Sequence, residues 1–252
     1  MRAEMGAAAV AAARAVGYEN AGTVEFILDA GGRFYFLEMN TRLQVEHPVT
    51  ELVMDVDLVR LQIEIAAGRP LVLDPAQLTP RGHALECRIY AEDPANGFVP
   101  STGRVLLSEP PAGPGIRVDA GVASGDEISR FYDPLVAKVI VWAEDRDAAI
   151  ARMEQALAGY ALLGVTTNIP FLRDLITHPV FRDGAATTHF VEAAFHDWSP
   201  PGGPPPDEAL IAAALAEIPG STGQTPAPPH DPASDPYSPW RRLAGFRVGG
   251  GS

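Results

Sequence analysis

Five polar side chains stand at every second position of one short stretch: Glu38, Asn40, Arg42, Gln44 and Glu46, with Leu37, Met39, Leu43 and Val45 between them. Alternate residues of an extended strand share a face. The pattern therefore predicts a strand whose polar side carries two carboxylates, two carboxamides and a guanidinium. A solvated strand face usually carries Thr, Ser and Lys instead. Hard cations take oxygen ligands, and magnesium takes one or two carboxylates together with phosphate oxygens. A guanidinium grips a planar oxyanion in a two-bond fork. The row thus has the chemistry to hold a metal and an anion, with Glu46 placed as a base toward whatever Arg42 binds. The alternatives are a hairpin face with solvated acids and a surface Arg–Glu pair of little energetic value.

The elements that would position this row are readable around it. Residues 3–16 are Ala-rich and helical by propensity, ending near Gly17. Residues 22–28 and 33–38 read as a hairpin turning through 29–32. That four-residue loop sets Leu28 opposite Arg33 and Glu25 opposite Phe36, so Glu25 and Glu38 become diagonal neighbours on one face. Apolar residues at helical spacing from Pro48 to Gly68 predict one helix. His47, before a proline, reads as structural. A strand follows over 82–90, then short strands with Pro/Gly turns to Trp142, and helices over 148–163, 167–176 and 190–195. Arg88 lies within an apolar strand and needs a partner there: Glu86, Glu92 or the site of Arg42.

Bulk composition narrows the function classes. The chain has 252 residues, 46% hydrophobic and 20% charged, enough to bury a core. Its net charge of −13 argues against a nucleic-acid surface. No apolar run of about 18 residues is present to span a membrane. The single cysteine, Cys87, excludes an internal disulfide and fits a small core residue in a reducing compartment. Of 19 basic residues only Lys138 is a lysine. Beyond Trp198 the composition turns Pro-rich and aperiodic, with a short helix expected over 207–218 and Asp207 as its N-cap.

At the level of whole motifs, Glu38-Met-Asn-Thr-Arg-Leu-Gln-Val-Glu-His-Pro-Val-Thr-Glu51 resembles the signature of biotin carboxylases. So does Arg81-Gly-His-Ala-Leu-Glu-Cys-Arg-Ile-Tyr-Ala-Glu-Asp-Pro94. Gly22-Thr-Val-Glu-Phe26, Tyr132-Asp-Pro-Leu-Val-Ala-Lys138 and Gly164-Val-Thr-Thr-Asn168 match the same family in the same order. Glu-x-Asn-x-Arg alone also occurs in other ATP-grasp enzymes such as carbamoyl phosphate synthetase; the Gln-x-Glu-His-Pro and Glu-Cys-Arg blocks single out biotin carboxylases.

The resemblance implies an α+β chain. The C-terminal part of an ATP-grasp domain (1–80) is followed by the mixed α/β biotin carboxylase C-terminal domain (81–196). A Pro-rich linker (197–238) and the truncated start of a biotin-carrier-tethering domain (239–252) complete it. It implies ATP-dependent carboxylation of biotin with bicarbonate. Glu25 and Glu38 would meet ATP, and with Asn40 they would hold Mg2+ or Mn2+. Arg42, Gln44 and the backbone of Val45 would bind bicarbonate. Glu46 would deprotonate it, and Arg88 would stabilise the biotin enolate. The implied partners are a biotin carboxyl carrier domain, a carboxyltransferase subunit and further copies in a homo-oligomer, with no nucleic acid or membrane. The implied compartment is the bacterial cytoplasm, or the mitochondrial matrix of a eukaryote.

The family's glycine-rich phosphate loop does not precede Glu25, so the expectation is no or very weak ATP-dependent activity from this chain alone. The alternative is a non-catalytic module serving oligomer or partner contacts. Residues 240–250 resemble the opening of the carrier-tethering domain of methylcrotonyl-type α-subunits. Val136-Ala-Lys-Val139 imitates the carrier's biotinylation motif poorly, so biotinylation is not expected.

Overall fold

The computed structural model describes residues 1–29, 31–74, 78–200, 202, 205 and 207–217. Residues 1–200 form one compact unit, and the chain beyond forms a second. In the first unit, helix α1 (Arg2–Ala15) leads into the antiparallel hairpin β1 (Thr23–Leu28) and β2 (Phe34–Asn40). The turn is one residue longer than expected, because Leu28 pairs with Phe34 and not with Arg33. A bulge then leaves Leu37 unpaired, between the pairs Phe26–Phe36 and Glu25–Glu38. An extra residue in one strand re-aims the side chains beyond it. Glu25 and Glu38 consequently lie directly opposite one another instead of diagonally.

The predicted strand through residue 46 is not found. Its last pair is Thr23–Asn40, where β1 begins, so β2 has no partner to bond beyond that point. Residues 41–46 instead form an irregular segment closed by a turn, in which the His47 N–H and ring Nδ1 both meet the Gln44 carbonyl, at 3.2 and 2.7 Å. Helix α2 (His47–Met54) starts there, with Pro48 in its first turn, where a missing N–H costs nothing.

The single helix expected over 48–68 is two helices. Asp55 adopts a left-handed conformation (φ 57°, ψ 49°) and ends α2. Asp57 caps α3 (Leu58–Ala66) by accepting from the Arg60 N–H at 2.8 Å. Glu51, reaching across the break, accepts from the Leu58 N–H at 2.8 Å.

The core lies in the following part of the chain. Strands β3 (His83–Tyr90), β4 (Glu92–Asp93), β5 (Val99–Pro100), β6 (Gly103–Arg104), β7 (Leu107–Glu109), β8 (Ile116–Ala120), β9 (Glu127–Ile128) and β10 (Leu135–Ala143) precede helix α4 (Arg146–Gly159) and strand β11 (Ala161–Leu163). The central antiparallel sheet runs β3-β10-β8; β4 pairs with β5, β6 with β9, and β7 with β11. The helix expected to Leu163 therefore stops at Gly159, because Ala161–Leu163 pairs with β7. Helices α5 (Ile169–Thr177), α6 (Pro179–Arg182) and α7 (Phe190–Phe195) complete the unit.

Alternation divides the central sheet cleanly. Cys87, Ile89, Val139 and Val141 turn to one side and are buried with Met153 and Leu157 of α4. Burial pushes the Cys87 thiol up to about 12, so it remains a protonated core side chain. The opposite side carries Glu86 and Arg88 of β3, Lys138 and Ile140 of β10, and Arg117 and Asp119 of β8. Helix α2 packs against β3 and β10.

The β1–β2 hairpin, by contrast, leaves Ile27, Tyr35, Phe36 and Leu37 at least half exposed. In the second unit, residues 207–217 form helix α8, with Asp207 in its first turn rather than at the cap. The tail at 239–252 lies outside the described residues, as does most of the Pro-rich stretch.

Candidate active site

Two groups of side chains emerge from this frame. At the hairpin, the Asn40 amide donates to Glu25 Oε1 at 2.6 Å and to Glu38 Oε1 at 3.1 Å. The amide draws together two carboxylates that would otherwise repel. These are hard oxygen ligands, and the set suits magnesium, which completes its shell with phosphate oxygens and water. Among the described residues no group of three His, Cys, Asp or Glu side chains converges, and the hairpin brings two carboxylates together.

The second group gathers around the 41–46 segment. Arg42 Nη1 donates to Gln44 Oε1 at 3.1 Å and to the Leu43 carbonyl at 3.2 Å. A cavity of about 520 Å³ is lined by Arg42, Gln44, Glu46 and His47 together with Gly22 and Thr23. Arg88 Nη2 donates to Glu46 Oε2 at 2.8 Å, across 42 residues of sequence. Of the partners open to Arg88, then, neither Glu86 nor Glu92 is bonded to it; Glu46 is. Desolvation works against the Arg88 charge, yet Tyr90 and Glu46 hold its guanidinium above the usual arginine range. The pair remains accessible, with side chains 40% and 53% exposed. An exposed pair contributes little to stability, which leaves both groups open to a ligand.

Behind this pair lies a scaffold that sequence reasoning missed. Lys138, 9% exposed, donates from Nζ to the Val45 carbonyl at 2.8 Å and pairs with Asp119 at 3.3 Å. Arg117 forks onto Asp119 at 2.8 and 3.0 Å and reaches buried Glu51 at 2.7 Å. Burial opposes the Asp119 charge, but Arg117 and Lys138 hold its carboxyl below the usual range. The available signal was on β8, where Arg117 and Asp119 alternate with apolar residues, and on β10, where Lys138 is the one charged side chain of an apolar strand.

Asn168 was also missed as a structural residue. Its side chain accepts from the Tyr90 N–H at 2.9 Å and donates to the Arg88 carbonyl at 3.1 Å, while its own N–H donates to the Tyr90 carbonyl at 3.1 Å. The approach to Asn168 turns at Gly164 (φ +106°), where an added Cβ would collide with the Arg104 carbonyl oxygen.

Comparison with known proteins fits this arrangement. Residues 86–193 match the biotin carboxylase C-terminal domain, and residues 1–73 match the ATP binding domain of the carbamoyl-phosphate synthase L chain. The biotin carboxylase of Nostoc sp. is 50% identical over 192 residues, covering 76% of this chain and 43% of that protein. The chain belongs to the biotin carboxylase family.

Other biotin carboxylase relatives extend the match. The α subunit of mitochondrial methylcrotonoyl-CoA carboxylase from Dictyostelium discoideum is 45% identical over 249 residues, 98% of this chain and 35% of that one. The biotin carboxylase domain of Hydrogenobacter thermophilus 2-oxoglutarate carboxylase, solved with MgADP, ADP and bicarbonate, superposes with a TM-score of 0.77 at 46% identity. That match covers 80% of this chain and 44% of the solved one. The chain therefore spans roughly a third to under a half of the length of these relatives. Its fold combines ATP-grasp and biotin carboxylase C-terminal parts, as expected from sequence.

Proposed function

We propose that this chain supplies the bicarbonate- and biotin-handling side of an enzyme that carboxylates carrier-linked biotin at the expense of ATP. The observation that carries the reading is the 2.8 Å contact of Arg88 with Glu46, whose carboxylate lines one cavity with Arg42 and Gln44. A carboxylate next to a guanidinium and a carboxamide can receive bicarbonate and take its proton. Arg42, Gln44 and the Val45 N–H would hold the anion, and Glu46 would accept the proton. The deprotonated oxygen then attacks the γ-phosphorus of ATP, forming carboxyphosphate and releasing ADP. Carboxyphosphate then breaks at its C–O bond into CO2 and phosphate, the phosphate takes the ureido N–H proton of biotin, and the nitrogen bonds the CO2 carbon. Arg88 would balance the negative charge that builds on the ureido oxygen.

Glu25, Glu38 and Asn40 would hold magnesium or manganese against the ATP phosphates. The ion supplies charge neutralisation to the phosphoryl transfer. A relative solved with MgADP and bicarbonate supports both ligands. The partners in this reading are a biotin carboxyl carrier domain, a carboxyltransferase and a second copy of the biotin carboxylase. The compartment is the bacterial cytoplasm or the mitochondrial matrix. Among the described residues no helix is long and apolar enough to cross a membrane.

The test is reconstitution. Co-expressed with a polypeptide that completes the ATP-grasp domain, the chain should support bicarbonate-dependent phosphate release from ATP and carboxylation of free biotin. Glu46→Gln should abolish both. Release that proceeds equally without bicarbonate, or that survives Glu46→Gln, would count against the reading.

A further inference from the structure

Glu86 stands apart from every other described carboxylate. Both its oxygens are shielded from solvent and neither has a hydrogen-bond partner. It lies two residues before Arg88 on the same side of β3, opposite Ile140 and diagonal to Lys138. With Arg88, Tyr90 and Asn168 it lines a cavity of about 280 Å³, to which α5 and α6 contribute the apolar Leu172, Leu175, Ile176 and Phe181.

The charges acting on Glu86 are Lys138, Arg88, Glu46 and Asp119. From α2, Glu51 is engaged with Arg117 and the Leu58 N–H, and His47 with the Gln44 carbonyl. A buried carboxylate without donors is costly to ionise. Burial accordingly pushes Glu86 up to about 7, despite Lys138 and Arg88.

Arg88 and Glu46, meanwhile, bond to each other, although the proposed chemistry uses each of them separately. When Glu46 takes the proton of bicarbonate it loses its charge, and the guanidinium loses its anion. Same-side neighbours two apart on a strand are about 6.6 Å apart, within the reach of an arginine. A guanidinium carries five donors, and the contact with Glu46 occupies one of them.

We propose that Glu86 is a positioning residue: the second carboxylate to which the Arg88 guanidinium transfers when Glu46 becomes neutral. The inference rests on the reading of Glu46 as the base toward bicarbonate. Transfer would take Arg88 off Glu46 and hold it along β3, beside the cavity it shares with Glu86, until the ureido oxygen of biotin draws the guanidinium back.

The experiment is a carboxyl-13C glutamate titration of the intact chain, followed by NMR. The Glu86 resonance is assigned by its loss in Glu86→Gln. Glu46→Gln imitates the neutral base, and both Glu46 and Arg88 are exposed enough that their substitution leaves the fold in place. Removing the Glu46 charge lowers the Glu86 midpoint through space in any background, so the Arg88-dependent excess is the quantity read.

With Arg88 present, Glu46→Gln should lower the midpoint by about one pH unit, a tenfold change in proton affinity. In an Arg88→Gln background the same substitution should shift it by less than about a third of that. Equal shifts in the two backgrounds, or no shift in either, would overturn the transfer. No turnover is involved, so the outcome is separable from the functional reading. An Arg88-dependent shift without bicarbonate-dependent phosphate release supports the transfer and removes only the functional reading. Equal shifts in an enzyme that does release phosphate remove only the transfer.

Discussion

Lys138 Nζ lies 2.8 Å from the carbonyl oxygen of Val45, joining the central strand of the main sheet to the segment that carries Arg42, Gln44 and Glu46. The only lysine of the chain is thus spent on holding an irregular segment in place. A strand needs no such tether because its ladder fixes it. Residues 41–46 have no ladder, and a buried cation bonded to a backbone carbonyl does that work.

Replacing this cation should therefore be felt twice. Lys138→Met removes the donor to Val45 and leaves Asp119 with Arg117 alone. We expect a loss of about 1–3 kcal/mol in stability by chemical denaturation. We also expect weaker 13C-bicarbonate binding by NMR, although Lys138 touches no proposed ligand. Full stability and unchanged binding would show that the segment holds its own shape.

Glu51 is buried and serves two partners, the Leu58 N–H and Arg117. Glu51→Ala leaves an uncapped donor and a guanidinium short of one anion. The expected cost is about 3 kcal/mol, well above that of removing an exposed carboxylate such as Glu4. A cost under about 0.5 kcal/mol would mean that water replaces it freely.

The hairpin carboxylates give a ligand-based test. Since Glu25 and Glu38 face each other directly, each single Gln substitution should weaken Mn2+ binding, monitored by electron paramagnetic resonance, by at least about tenfold. Far-UV circular dichroism should remain unchanged. Undiminished binding in both variants would place the ion elsewhere.

The pH dependence of stability has a definite sign. Glu86 titrates at about 7 in the folded chain against an ordinary 4.5, so between those values the folded state holds a proton that the unfolded state has released. Its contribution is complete below about 4.5 and is lost as pH rises through about 7. Relative to wild type, Glu86→Gln should be near neutral at pH 4.5 and more stable by about 1 kcal/mol at pH 8, allowing for partial solvent screening. A constant difference across that range would contradict the assignment.

How far the sequence carried these conclusions varies with the kind of interaction. The elements were largely legible: α1, the β1–β2 hairpin, β3 and the later helices follow from propensity and periodicity. The family was legible in the 38–51 and 81–94 blocks. The register of Glu25 against Glu38 was not, because a bulge at Leu37 leaves no mark in the hydrophobic pattern. The extended row to Glu46 was misleading for a related reason: a turn can bring alternate residues into one cavity without any strand. The Asp55–Asp57 break, in contrast, was visible in principle, since Asp serves both a left-handed helix end and an N-cap. The Lys138, Asp119, Arg117 and Glu51 chain depends on long-range pairing that no local window contains.

Asn168 has a consequence beyond its hydrogen bonds. It occupies the outer edge of β3, satisfying the Arg88 carbonyl and both backbone groups of Tyr90. An uncovered strand edge is a template on which a stray chain can grow. One carboxamide, set by a tight turn at Gly164, closes that template beside Arg88, so the strand that carries the proposed biotin-facing guanidinium cannot be recruited into an aggregate at that point.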